Sequence, residues 1–169
     1  MEEKRSGEFV GAFPSYGYIK NPEDNHKLII DKESAEIVRK IFEWKVNEGL
    51  GNLSICHRLN DMGVLNPTGY KKKKLKQNYN NSRILQEDYS WCPSTVRNIL
   101  KNDIYIGNVT QGKRKAKSYK VHKVVQVPED EWITVENMHE AIIDKELFEK
   151  AQVMRKVDTR VQNSGKLSM

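Results

Sequence analysis

Residues 91–107 constrain the fold of this chain more than any other stretch. Pro93 suits the first turn of a helix, where its missing N–H would have no partner anyway. Cys92 then falls at the N-cap, a position that Ser or Thr fills better. An apolar stripe follows at helical spacing, at Val96, Ile99 and Leu100. This spacing predicts a short helix that buries one side in a core and leaves the other side polar.

The polar side of this helix carries hydroxyl, amide and cationic groups, at Ser94, Thr95, Arg97, Asn98 and Lys101. A helix of this kind fits the major groove of DNA, where an arginine pairs well with guanine and an asparagine with adenine. An ordinary solvent-exposed helix face explains the same residues. The helix alone therefore leaves the two interpretations even.

Positive charge is concentrated in two segments of the chain. The net charge is +6 and the pI is about 9.2, a balance that favours polyanionic partners. Residues 69–83 contain six basic residues and no acid, and residues 93–125 contain eight basic residues and one acid. A single charged run is usually solvated surface, but two runs near a groove-sized helix favour DNA binding. We expect phosphate contacts from Lys113, Arg114, Lys115, Lys117, Lys72 and Lys73.

The periodicity of the whole chain predicts an α+β fold, mainly helical, with a helix-turn-helix-like core and a small antiparallel hairpin. Asp31 is a suitable N-cap for a helix to about residue 48. Asn52 is a suitable cap for a second helix, which runs to Met62 and stops at Gly63. A final helix is expected after Asp144.

Alternating residues predict strands at 105–111 and 119–125, with the basic run between them as a hairpin loop, and a third strand at 132–135. Trp91, Trp132, Tyr105 and Phe148 are assigned to core packing. His139 is expected to be a turn or core residue.

Composition also suggests how the chain is organised. Residues 1–22 carry glycines and aromatics without helical period, which predicts an extended arm in which Phe9 and Tyr16 face a partner. A strap over the core would hide the same aromatics. Residues 23–155 form the expected domain, residues 66–90 a long, mobile basic insertion, and residues 156–169 a frayed tail.

The sequence argues against disulfide-rich, metal-binding, membrane-spanning and catalytic classes of protein. It has two cysteines, Cys56 and Cys92, in no metal-binding or disulfide pattern, which fits a reducing compartment. Cys56 falls on a core stripe. No apolar run reaches the length of a membrane span. We expect no catalytic residue, no metal site and no cofactor in this chain.

The order of its motifs resembles the recombinase domain of the large serine recombinases, the integrases and transposases of phages and mobile elements. The motifs are Gly-Glu-Phe-Val-Gly at 7–11, Pro-Ser-Tyr-Gly-Tyr at 14–18, Ile-Val-Arg-Lys-Ile-Phe at 37–42, Leu-Asn-Asp-Met-Gly at 59–63, the stretch 91–107, His-Glu-Ala-Ile-Ile-Asp at 139–144 and Phe-Glu-Lys-Ala-Gln at 148–152. The resemblance covers residues 7–152, and its strength lies in order and spacing. Cys92 and the lysine-rich insertion depart from the pattern.

The resemblance implies recognition of duplex DNA at an attachment site, for integration or excision of a mobile element. It also implies that the DNA-cleaving serine belongs to a separate N-terminal domain that this chain lacks. Contacts with other recombinase protomers would then be made by domains outside this chain. Residues 9–18 would follow the minor groove and the helix at 93–101 would enter the next major groove. We expect the isolated chain to be a monomer in the bacterial cytoplasm. Its gene would belong to the bacterium, to a phage or to another mobile element.

Two other functions fit the same residues. A helix-turn-helix transcription regulator would share the basic helix, but it would bind DNA as a stable dimer. An RNA-binding protein would also be basic with exposed aromatic residues, but it would prefer splayed bases and shallow grooves.

Overall fold

A computed structural model of the chain describes residues 8–9, 11–78, 88–121 and 123–164. Parts of the predicted arm, insertion, second strand and tail lie outside the described residues: residues 1–7, Val10, residues 79–87, His122 and residues 165–169.

The described residues form five α-helices, α1 Lys32–Asn47, α2 Asn52–Asp61, α3 Pro67–Gly69, α4 Pro93–Leu100 and α5 Lys145–Ser164. They form six strands, β1 Tyr18–Lys20, β2 Leu28–Ile30, β3 Val109–Gln111, β4 Arg114–Ala116, β5 Val124–Gln126 and β6 Ile133–Val135. The strands pair as three two-stranded antiparallel sheets, β1 with β2, β3 with β6 and β4 with β5. This confirms the predicted α+β class. In the described part of the chain, no helix is long and apolar enough to cross a membrane.

The chain divides into two compact units. The first comprises Met1–Ile37 and Asn102–Lys145, and the second comprises Val38–Lys101 and Glu146–Met169.

The second unit is built around helices whose apolar stripes are buried as their periodicity predicts. The stripes are Val38, Ile41 and Phe42 of α1, Ile55, Cys56 and Leu59 of α2, and Val96, Ile99 and Leu100 of α4. Ala151 of α5 is also fully buried, and the ring of Phe148 lies 6.1 Å from that of Phe42. Cys56 is confirmed as a core thiol, and its burial raises the thiol pKa to about 11.

The first unit is organised around buried tyrosines. Tyr18 and Tyr105 stack with ring centroids 6.1 Å apart, and Tyr105 donates a 2.7 Å hydrogen bond to the carbonyl of Tyr16. The Tyr18 hydroxyl donates to the Glu140 carbonyl at 2.8 Å and also lies 3.2 Å from the Ile104 carbonyl. These contacts join segments far apart in sequence and add to the buried aliphatic residues of this unit, such as Ile104 and Ile142.

Helix boundaries follow the predictions with two corrections. The Asp31 carboxylate accepts from the backbone and hydroxyl of Ser34, which confirms Asp31 as the N-cap of α1. The N-cap of α2 is Gly51 rather than Asn52, because Gly51 has the extended conformation and Asn52 is already helical. The spacing of Ile55, Leu59 and Met62 also predicts that Met62 faces inward, and this is wrong, since Met62 is 50% exposed after the helix has ended.

The strand pairing differs more from the prediction. Tyr105 lies in a 3₁₀-helical turn, Asp103–Ile106, rather than in a strand. Gly107 ends that turn with φ +92°, and a Cβ there would lie 2.9 Å from the His139 carbonyl oxygen, so only glycine fits without strain. β3 pairs with β6, and the basic run forms strand β4 itself instead of a loop.

Removal of the Tyr18 hydroxyl tests the tyrosine network. We expect Tyr18→Phe to lower the free energy of unfolding by about 1–2 kcal/mol, because the hydrogen bonds of this hydroxyl with the Glu140 and Ile104 carbonyls are lost. Urea unfolding of the parent chain and the variant measures this difference in free energy. Tyr119→Phe is the matched control, since Tyr119 is 97% exposed; equal effects of the two substitutions would contradict this role of Tyr18.

His139 gives the first unit a pH dependence. Burial lowers the pKa of its imidazole below the ordinary value of 6.5, although Nε2 lies 2.7 Å from the Ile104 carbonyl oxygen. The unfolded chain therefore binds a proton at this position more readily than the folded chain does, and stability falls as pH drops through 6.5 and below. We expect His139→Gln to show a smaller loss of stability than the parent chain between about pH 8 and pH 5. His57→Gln, at an exposed position of α2, controls for the loss of a histidine.

Candidate nucleic-acid interface

The polar side of α4 faces solvent, as predicted. Ser94, Arg97, Asn98 and Lys101 are exposed, and Thr95 is half-buried. The four exposed residues recur at i, i+3, i+4 and i+7, so they form one continuous stripe along the helix. Lys101 is the C-cap of the helix and completes the stripe.

Hydrogen bonds fix both ends of α4 within the second unit. Before the helix, the Trp91 N–H donates to the Asn60 side-chain oxygen at 2.8 Å, and the Asn60 amide nitrogen donates to the Trp91 carbonyl at 3.4 Å. The Trp91 indole donates to the Val64 carbonyl at 3.0 Å. At the other end, Gln152 of α5 donates to the Leu100 carbonyl at 2.7 Å. The polar stripe is therefore presented by a rigid element.

The beginning of the predicted basic insertion is ordered rather than a mobile loop. The Asn66 side chain caps α3 by accepting from Gly69 at 2.9 Å, and its amide donates to the Ser90 carbonyl. α3 continues into a π-helical segment, Tyr70–Lys74, whose first residue is buried. The local sequence favours helix because Pro67 follows a good N-cap residue.

The lysines of this segment differ in their surroundings. Burial lowers the pKa of the Lys71 amino group. Lys72 is half-buried, whereas Lys73 is exposed with its amino group 4.9 Å from the Tyr89 ring centroid. Lys73 is thus positioned by a cation–π contact and still faces solvent.

In the first unit, strand β4 and the residues that flank it expose four basic side chains, Lys113, Arg114, Lys115 and Lys117. The Lys113 amino group lies 5.0 Å from the Trp132 ring centroid, and that of Lys115 lies 3.6 Å from the Glu131 carboxylate. The Lys115–Glu131 pair is exposed, so it is weak and screened by salt. A phosphate can therefore replace Glu131 as the partner of Lys115.

The two aromatic residues assigned to the N-terminal arm lie in different environments. Phe9 is half-buried beside a cleft of about 310 Å³, and the Lys20 amino group lies 5.7 Å from its ring centroid. Tyr16 is only 6% exposed, so its ring is not free to face a partner. The strap interpretation, which predicted hidden aromatics, describes Tyr16 and Tyr18 better than the arm interpretation.

Sequence reasoning missed two surface residues of the first unit. Tyr119, assigned to a strand, lies in the connection between β4 and β5 and is 97% exposed. Gln126 lies at the end of β5, directly across from Arg114. Pairing the basic run with residues 124–126 as a hairpin would have identified Gln126. Among the described residues, no group of three or more His, Cys, Asp or Glu is placed to hold a metal ion.

Comparisons with known proteins show similarity in sequence and in fold. The family model described as Recombinase matches residues 23–157. A crystal structure described as that of an LSR–DNA complex superposes with a TM-score of 0.57 and 20% identity over 92% of this chain and 36% of that chain. A structure described by the sequence requirements of the Listeria innocua prophage attP site superposes with a TM-score of 0.55 and 21% identity. The match covers 92% of this chain and 48% of that chain. The chain spans less than half the length of either.

The N-cap of α4 offers a test of its local geometry. Cys92 has the extended N-cap conformation but no capping hydrogen bond from its side chain. Although burial raises the pKa of the thiol, its contacts with Ser94 and Thr95 hold it below its ordinary value. We expect Cys92→Ser to raise the free energy of unfolding by roughly 0.5–1 kcal/mol, because a serine oxygen accepts from the first turn. Cys92→Ala, measured by the same urea unfolding, should give no gain; a gain of equal size would exclude capping as the cause.

Proposed function

Because the chain belongs to the recombinase-domain family of the large serine recombinases, we propose that it recognises duplex DNA at an attachment site, for integration or excision of a mobile element. The observation that carries this proposal is the exposed polar stripe of α4, fixed at both ends by hydrogen bonds. A rigid helix with such a stripe reads base edges at a low entropic cost, because its backbone is already ordered before binding.

The proposed role is recognition rather than chemistry. The serine that cuts DNA belongs to a separate catalytic domain of the enzyme, and no residue of this chain acts as nucleophile, acid or base. Contacts with other protomers are made by those other domains, so this chain alone is a monomer in solution. It acts on DNA in the cytoplasm of a bacterium.

Within α4, the side chains have different roles. Arg97 and Asn98 lie at the middle of the stripe and have the bidentate geometry that guanine and adenine offer in the major groove. Ser94 and Lys101 lie one turn to either side, where a hydroxyl and an ammonium reach flanking bases or phosphates. Thr95, half-buried at the edge of the stripe, contacts the backbone of the nearer DNA strand.

Phosphate contacts come from cations outside α4. We assign them to Lys113, Arg114, Lys115, Lys117, Lys72 and Lys73, whose charge supplies affinity that falls with salt and carries little sequence information. Phe9, with Lys20 beside its ring, contacts the minor groove. The ring of Tyr16 has no part in the interface, because it is buried.

Selection of bound duplexes from a random pool tests this function. We expect the chain to enrich one sequence, and Arg97→Ala combined with Asn98→Ala to weaken binding to it by roughly fivefold to 150-fold for each pair lost. Lys156→Ala removes an exposed cation of α5 and serves as the matched control with unchanged binding. Failure to enrich any duplex, or tighter binding of a structured RNA than of the selected duplex, would refute the proposal.

A further inference from the structure

The two faces of the β4–β5 ribbon are chemically different. The antiparallel register places Arg114 opposite Gln126 and Ala116 opposite Val124. Because side chains alternate along a strand, these four share one face, and Lys115 and Val125 occupy the other. One further pair continues the ladder at each end, since Val127 donates to the Lys113 carbonyl at 3.0 Å and Lys117 to the Lys123 carbonyl at 2.8 Å.

The face that carries Lys115 is directed toward the rest of the first unit. Lys115 pairs with Glu131, and Lys113 lies over Trp132. The Trp132 indole donates to the Val127 carbonyl at 2.8 Å, and Val127 is buried. This inner face therefore contacts the rest of the first unit, although the side chains of Lys113 and Lys115 stay exposed.

The outer face is open. Arg114, Ala116 and Gln126 are exposed, and Val124 is 60% exposed although it is apolar. Residues 112–128 contain six cations and no acid, so the ribbon as a whole complements a polyanion. An exposed valine on the same face as an arginine and a glutamine is poorly explained by contact with phosphate alone.

We propose that the outer face of the β4–β5 ribbon reads bases in the major groove of the same DNA, as a second recognition element in addition to α4. A two-stranded ribbon has the width that this groove admits. Arg114 donates to guanine O6 and N7, Gln126 pairs with the N6 and N7 of adenine, and Ala116 and Val124 contact thymine methyl groups. This inference rests on the proposed function and refines it, because Arg114 becomes a base-reading residue rather than a phosphate contact.

Arg114→Lys separates base reading from phosphate binding. The lysine keeps the charge but lacks the planar fork that pairs with guanine. Repeating the random-pool selection with this variant should remove a guanine preference from the enriched site, with a loss of roughly fivefold to 150-fold on the parent site. Gln126→Ala should remove the preference at a neighbouring position.

Lys117→Ala is the matched control on the same ribbon. It should weaken binding to all duplexes about equally and flatten the dependence of affinity on salt, without changing the enriched sequence. Thermal unfolding of each variant checks that the fold is retained. We expect unchanged unfolding because all three substituted side chains are exposed.

The outcomes separate the two proposals. If the parent chain enriches a site and Arg114→Lys and Gln126→Ala enrich the same site with equal strength, the ribbon does not read bases and recognition by α4 still stands. If the parent chain enriches no duplex, both proposals fail.

Discussion

The position of Trp91 is the constraint on which the candidate reading surface depends. Its backbone is held on both sides by Asn60, and its indole donates to the carbonyl of Val64. The polar groups of this buried ring are thereby satisfied, so its large apolar surface is buried without the cost of an unpaired donor. α4 starts two residues later, and the direction of its first turn follows from where Trp91 is fixed. The outward stripe thus results from an apolar anchor together with an amide two helices earlier.

The sequence predicts four of the five described α-helices and the outward side of α4 because helical periodicity is a local property, whereas α3 lies in a segment predicted to be a mobile loop. Val96, Ile99 and Leu100 can all be buried only if Arg97 and Asn98 point away from the core. The same reasoning correctly assigned Cys56 to the core. It erred at Met62, where the apolar stripe continues in the sequence although the helix ends at Asp61 and Met62 is its C-cap. What the pattern predicts is which side of a helix is buried, not where the helix ends.

Strand pairing was predicted less well, for a physical reason. Alternation identifies residues that share a face, but it carries no information on which strand lies alongside. Residues 113–117 contain only lysine, arginine and one alanine. Part of this segment forms β4 because Val124–Gln126 supplies a β-branched partner. Long-range hydrogen bonds decide the environment of Tyr16 in the same way. Its carbonyl accepts from Tyr105, which is 89 residues away in sequence, and no local pattern encodes that contact.

A single short helix is too small to find one site in a genome, and this is the main physical argument for a second reading element. A genome presents about a million or more competing positions, which corresponds to roughly 8 kcal/mol of required discrimination. The two bidentate contacts proposed for α4 would supply about 2–6 kcal/mol. The phosphate contact proposed for Lys117 would not close this gap, because it would strengthen binding to every sequence alike. The base contacts proposed for Arg114 and Gln126 would close it, since their contribution depends on the base they meet and is of the same size as that of α4.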